Sequence, residues 1–172
     1  MIAYPIATSG QSVVLTDAVV AHFKKHRQNR WLKREAGGQL FARLRIPEII
    51  IEEATGPRSS DRRGRYHYIP DRRAEQAEIE ERYESGLHYV GDWHTHPTAV
   101  PQPSSLDLGT IQECFIESSH NLAGFILIIV GSSQPPKGLL VSINNAISST
   151  FLLPSPAFST NAGRSAIPIK SG

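Results

Sequence analysis

Cysteine occurs once in this chain of 172 residues, as Cys114. A single thiol excludes an internal disulfide framework and any cysteine-rich zinc module, and it fits a reducing compartment. Charge of one sign is also scarce: 18 Lys and Arg stand against 16 Asp and Glu, a formal net charge of +2. So even a balance does not ask for nucleic acid as the principal partner. Long apolar runs are missing too. The longest, Phe125 to Val130, is far shorter than the ~20 residues that span a bilayer. The N-terminus, MIAYPIATSG, has neither a charged leading segment nor a signal-length apolar stretch. These absences lead us to expect a soluble, cytoplasmic protein with no membrane partner. What remains is an ordinary globular composition, 40% hydrophobic and 20% charged, at a length suited to one domain with its own core.

Periodicity and punctuation divide the chain. Residues 1–12 read as a lead-in strand or arm. Thr16 or Asp17 can cap a helix reaching about Arg27, with Val19, Val20 and Phe23 as its buried stripe. A basic run follows through Lys33 and Arg34. Glu35 to Arg43 reads as a strand in which Gly37 and Gly38 permit close backbone approach. Glu48 to Ala54 is a second strand, expected to be buried on both faces because its alternation is poor. Residues 56–70 form a basic loop rich in turn formers. Asp71 opens a helix over about Arg72 to Tyr83, and Leu87 to Trp93 is a strand. Ser105 can cap a helix from Leu106 to about Ser118. Strands are expected over Gly124–Val130, Leu139–Asn144 and Ser149–Leu153. The order predicts an α/β or α+β domain over residues 1–153, a mixed sheet flanked by helices. Residues 154–172 lack periodicity and are expected to be a flexible tail.

The chemistry concentrates in GDWHTHPTAVPQPSSLD, Gly91 to Asp107. His94 and His96 sit at the end of an apolar strand, where residues i and i+2 share a face, so both imidazoles can reach one ion. Pro97 stops the strand directly afterwards. Asp107 falls in the first turn of the next helix, where a carboxylate is favoured. Pro101 and Pro103 restrict the loop between them. Two imidazoles, one carboxylate and one open position are the donor set of a catalytic zinc site, since a structural site would be closed by a fourth protein ligand. A deaminase is a poor fit, because that chemistry needs a Pro-Cys-x-x-Cys pair. A His-Glu-x-x-His helix is absent as well.

His-Thr-His-Pro, then Ser104, then Asp107, resembles the motif of the JAMM or MPN+ metallopeptidases. Glu35, followed by AGGQLF, resembles the upstream glutamate of that family; Glu48, Glu52 and Glu53 also lie upstream but lack the Gly-Gly context. The resemblance covers about residues 15 to 153. It implies the JAMM/MPN fold, related to that of cytidine deaminases, and a Zn2+ ion on His94, His96 and Asp107. It implies Glu35 as the base that takes a proton from water and passes it to the leaving amine. It implies Ser104 as hydrogen-bond donor to the oxyanion, an effect of ~3 kcal/mol for a typical single donor. GDWHTHP, preceded by GPRSSDRR and a helix, is similar to JAMM proteins of bacterial anti-phage (CBASS) operons, relatives of which are also labelled integrative and conjugative element proteins. This nearer resemblance implies a deubiquitinase-like isopeptidase. Its substrate would be a CD-NTase-like nucleotidyltransferase conjugated through its C-terminus by a ubiquitin-transfer-like enzyme.

Other functions compete. The same motif would serve a peptidase that trims a ubiquitin-like sulfur carrier. A metal-free MPN scaffold is the reading from a different class, but scaffolds lose ligands and none is missing here. The basic segments 24–34 and 58–65 suggest nucleic acid, against the small net charge. Arg58, Arg62, Arg63 and Arg65 are expected instead to face an acidic protein. The Gly-rich strand from Glu35 is expected to accept an extended tail as an added strand.

Overall fold

The structure is a computed structural model and describes residues 1–156. Most of the expected tail, residues 157–172, lies outside the described residues. Its first residues are tied down: the Ser155 amide donates to the Ala3 carbonyl at 2.8 Å.

The chain opens with a hairpin and not a single arm. Strands β1 (Ile2–Ile6) and β2 (Gln11–Leu15) pair antiparallel, turning at Gly10, whose φ is +69°. Tyr4, Ile6, Val13 and Leu15 alternate inward and supply the apolar face that makes this a hairpin. Helix α1 (Asp17–His26) starts where Thr16 accepts from the Val19 amide, and it buries Val19, Val20 and Phe23 as expected.

Strands β3 (Gly37–Arg45) and β4 (Glu48–Ala54) follow. Only Ile51 and Ala54 of β4 are buried, so the expectation of two buried faces fails. The reason is charge: Glu52 pairs with Arg43 at 3.1 Å and Glu53 with Arg82 at 2.8 Å, which holds the outer face at the solvent boundary. The loop 56–70 contains its own small hairpin, β5 (Arg62–Arg63) with β6 (Tyr68–Ile69). Next come α2 (Arg72–Glu84), β7 (His88–Thr95), α3 (Ser105–Glu117), β8 (Phe125–Val130), β9 (Leu139–Asn144) and β10 (Ser149–Leu152).

Eight strands form one mixed sheet in the order β1-β2-β4-β3-β7-β8-β9-β10, with the β2–β4 and β7–β8 pairs parallel. Three helices flank it, an α+β architecture. All of FILIIV in β8 is buried because alternate residues serve two cores. Ile126, Ile128 and Val130 join the core beneath α1, with Phe23, Leu40 and Trp93. Phe125, Leu127 and Ile129 join Ile111 of α3 on the opposite face. Among the described residues no helix is long and apolar enough to cross a membrane.

Strand β7, helix α3 and strand β8 make a β-α-β unit. In such units the carboxyl end of the first strand and the amino end of the helix meet at one edge of the sheet, where ligands are commonly held. Here that edge carries the histidines.

Candidate metal centre and cleft

His94 is the penultimate residue of β7, facing the cleft that α2 and α3 also line, and His96 follows just beyond the strand end. The His96 amide still donates to the Val130 carbonyl at 2.9 Å, so the segment stays extended through the motif. Period-two geometry then brings the rings together: Nε2 of His94 lies 3.2 Å from Nε2 of His96. Thr95, between them, points into the opposite core and is fully buried. The loop after Pro97 is anchored by the Ser132 and Ser133 amides, which donate to Thr98 and Ala99 at 2.8 and 3.1 Å.

Asp107 comes from α3. Ser104, and not Ser105 as expected, is the N-cap, and its Oγ accepts from the Asp107 amide at 3.1 Å. The Asp107 carboxylate returns the bond, accepting from the Ser104 amide at 2.6 Å, which completes a capping box. Its Oδ1 lies 3.1 Å from Nε2 of His94, and the Oδ2 that accepts from Ser104 lies 3.5 Å from Nε2 of His96. The cap therefore fixes the helix start and aims the carboxylate with the same atoms.

Glu35 was expected in a strand, but β3 begins at Gly37. The Glu35 amide donates to Gly64 at 2.7 Å, and the Arg63 side chain donates to the Glu35 carbonyl at 2.7 Å. The β5–β6 hairpin thus claims its backbone before the sheet does. The next residue is tied to β7: the Ala36 amide donates to Thr95 Oγ1 at 2.9 Å. Thr95 in turn donates to Gln28 Oε1 at 3.0 Å, and Gln28 Nε2 donates to the Lys33 and Arg65 carbonyls at 3.3 and 2.9 Å. Sequence reasoning missed both residues. Gln28 is an uncharged residue in a basic run, the only signal it gives. The glycines permit the approach: a Cβ at Gly38 would stand 2.0 Å from the Thr55 carbonyl, and one at Gly37 would stand 2.6 Å from the Tyr68 ring.

Ligand atoms of Glu35, His94 and His96 all lie within 4.8 Å of one another, so these residues could hold a metal ion. Asp107 sits closer to both rings than that limit, within 3.5 Å. Asp107 is thus the tighter neighbour of the two rings, and Glu35, which forms no ion pair with either among the described residues, the looser one. Burial pushes the Glu35 carboxyl up to about 7, with the His94 ring opposing and the Asp107 carboxylate adding. Burial also lowers His96, assisted by His94, which favours a neutral ring able to donate its lone pair. Burial works against Asp107, yet the His94 ring and the Ser104 N–H hold it well below the usual carboxylate range.

A cleft of about 580 Å³ opens over these groups, and its walls include Tyr66, Tyr68, Leu106, Thr110 and Trp93. Trp93 is a core residue, 1% exposed, packed on Phe23 and His22. Asp92 shares the His94 face, but its partner is the Tyr89 hydroxyl at 3.0 Å and not a histidine. Cys114 is half-buried on α3, and burial pushes its thiol up, the reverse of an activated nucleophile. Two expectations are corrected. Arg58 does not face solvent; it is paired with Asp61, Glu75 and Glu78 inside the protein, and Arg63 holds Glu35. Nor does β3 offer a free edge, since β4 and β7 pair with it on both sides and Thr55–Gly56 covers its start.

A family model described as prokaryotic homologs of the JAB domain matches residues 15–143, a span that holds every residue of the cluster. A Vibrio cholerae protein named CD-NTase/cGAS isopeptidase is 32% identical over 124 residues, covering 69% of this chain and 76% of that protein. An Escherichia coli protein of the same name is 28% identical over 99 residues, and the matched stretch spans 64% of its length, just under two thirds. A probable metalloprotease of Sinorhizobium fredii is 37% identical over 84 residues, 46% of this chain and 51% of that protein. A solution structure of a Desulfitobacterium hafniense protein covers 81% of this chain and 88% of its own at a TM-score of 0.56 and 18% identity, a likeness of fold.

Proposed function

The chain belongs to the prokaryotic JAB-domain family, and from that premise we propose that it is a zinc-dependent isopeptidase releasing a protein conjugated through its C-terminus. The observation that carries this is the convergence of three side chains: Nε2 of His94 and of His96 lie 3.2 Å apart, Asp107 Oδ1 lies 3.1 Å from the first ring and Asp107 Oδ2 3.5 Å from the second. Ligands about 2.0–2.1 Å from a tetrahedral zinc ion lie roughly 3.3–3.4 Å apart, so the residues present fit that ion. Three protein donors leave one position for water or substrate, which is the catalytic pattern. When bound, zinc supplies Lewis acidity, acidifying a water to about 7 and polarising the scissile carbonyl.

The protein's own groups supply the rest. Glu35 is the proton carrier: its carboxyl is held near neutrality by burial and stands beside the histidines without being the nearest oxygen. It accepts the proton of the attacking water and delivers it to the departing amine. Ser104 Oγ accepts from the Asp107 amide, which leaves its hydroxyl proton free for the developing oxyanion. The hairpin and the Ala36–Thr95–Gln28 relay fix Glu35 relative to the histidines, so little reorganisation precedes reaction.

The relatives' names support a CD-NTase-like nucleotidyltransferase as the conjugated partner. Its attachment by a ubiquitin-transfer-like enzyme in anti-phage signalling is what the resemblance of GDWHTHP implies, and it forms part of the proposal. The tail would lie extended in the cleft without joining a strand edge. Small residues before the scissile bond are expected, because the Tyr68 ring lies against Gly37 beside His94. The test compares a nucleotidyltransferase fused through its C-terminus to a reporter with casein, after zinc loading. Cleavage of the fusion alone supports the proposal, and equal digestion of casein refutes it. Metal analysis of His94→Ala, which should have lost its zinc, checks the centre separately.

A further inference from the structure

We propose that the basic, aromatic rim formed by residues 30–34 and 62–67 docks the folded body of the protein substrate, on a face that is acidic around an apolar residue. The inference rests on the functional reading above only in taking that partner to be the substrate. The rim stands out because it exposes what folded proteins usually cover: Trp31 is 74% exposed, Leu32 89% and Tyr66 70%. The two aromatic rings are held in place by one arginine. The Arg65 guanidinium lies 4.0 Å from the centre of the Trp31 ring, donates to the Trp31 carbonyl, and donates through Nε to the Tyr66 hydroxyl at 2.8 Å. The Arg65 backbone is held in turn by buried Gln28. An aromatic anchor fixed in advance loses little freedom on binding, and Trp, Tyr and Arg are the residues that carry most interface energy.

Charge names the partner's face. Residues 24–34 and 62–69 contain no Asp or Glu. Arg30, Arg34 and Arg62 are exposed and make no ion pair among the described residues, whereas Arg58 is ion-paired internally and Arg63 donates to the Glu35 carbonyl. The complement is an acidic surface. The chain's own residues 157–172 do not supply one, for they bring Arg164 and Lys170 and no Asp or Glu. Cations with aromatic faces also suit single-stranded nucleic acid. Leu32, the most exposed of the three, has no stacking face, and the rim borders a cleft built for peptide chemistry. Tyr66 and His67 line that cleft, and Glu35 follows Trp31 by four residues, so a body docked here would lead its tail to the metal centre.

The test uses the zinc-loaded full chain with Trp31→Ala, Leu32→Ser and the pair Arg30→Glu, Arg34→Glu, each checked for zinc content and thermal stability. Two substrates are compared: the nucleotidyltransferase–reporter conjugate, and its short C-terminal peptide on a fluorogenic amine. KM for the conjugate should rise about 10- to 30-fold in Trp31→Ala with kcat unchanged. Cleavage of the peptide should not change. The charge-reversed pair should lose most at low salt. Binding of the free nucleotidyltransferase, followed by fluorescence anisotropy, reads the rim without cleavage. Loss of that binding in the variants upholds the rim even if the wild type cuts neither substrate, in which case the isopeptidase reading alone fails. The rim is overturned if the wild type does not bind the free protein, if the variants bind and cut the conjugate like the wild type, if peptide and conjugate suffer equally, or if an oligonucleotide displaces the partner. Leu32→Ser keeps the question answerable should Trp31→Ala disturb the Arg65 stack.

Discussion

Replacing Thr95 by Val preserves shape and removes one hydroxyl at a fully buried position. That hydroxyl accepts from the Ala36 amide at 2.9 Å and donates to Gln28 Oε1 at 3.0 Å. Thr95 is 0% exposed, Ala36 1% and Gln28 5%, so water cannot take its place. Two buried polar groups lose a partner, at roughly 1–3 kcal/mol each. The added methyl returns about 0.8 kcal/mol of burial. We expect a net destabilisation of about 1–5 kcal/mol. Thr95→Ser keeps both bonds and loses one buried methyl, for about 1 kcal/mol. Urea unfolding of the metal-free forms measures the difference, since bound zinc would add its own stabilisation. The valine variant should also free the Ala36 amide beside Glu35, so its kcat should fall at a nearly constant KM while Thr95→Ser retains activity. The relay has no such role if Val proves no more destabilising than Ser, or if both variants keep full kcat.

Other consequences are as direct. Glu35→Gln should keep zinc and fold and lose cleavage; loss of zinc would make Glu35 a ligand, and full activity would move the base elsewhere. Gly38→Ala places a carbon 2.0 Å from the Thr55 carbonyl, so soluble yield and melting temperature should collapse. Burial lifts the carboxyl of Glu75 to about 7, above its unfolded value of 4.5. A group raised on folding stabilises most below the unfolded pKa, and that contribution is lost as pH rises through the folded one. The stability of Glu75→Gln relative to wild type should therefore climb by a few kcal/mol between about pH 4.5 and pH 7 and then level off; a flat difference across that window rejects it.

The elements with their own period or cap were legible: α1 from Thr16 and the Val19–Phe23 stripe, and β8 from an unbroken apolar run. The trio His94, His96 and Asp107 was legible because strand and helix geometry put motif residues on one side. Ser104 was read as a donor, and its duty as the cap went to Ser105, because both serines satisfy the same local rule and only the backbone decides between them. Arg58 misled for a different reason. In sequence it belongs to a basic loop, but its partners Glu75 and Glu78 sit on a helix more than a dozen residues later, and long-range pairing leaves no local pattern. The relay through Gln28 was hidden for the same cause: its partners lie 37 and 67 positions away.

Helix α2 meets the sheet through Glu75, Glu78, Ile79 and Arg82, and Glu75 is its one buried residue. What attaches it is a set of ion pairs, Glu75 and Glu78 with Arg58 and Arg82 with Glu53, where other helices use an apolar stripe. Little hydrophobic area is exposed when such a helix lifts away, so the opening carries a small heat-capacity change and a low sensitivity to urea. Its amides should exchange with deuterium through a local event well before those of β8, and the exchange rate should respond to ionic strength more than to denaturant. A wall of the cleft that detaches on these terms gives a folded conjugate room to enter without unfolding the metal centre.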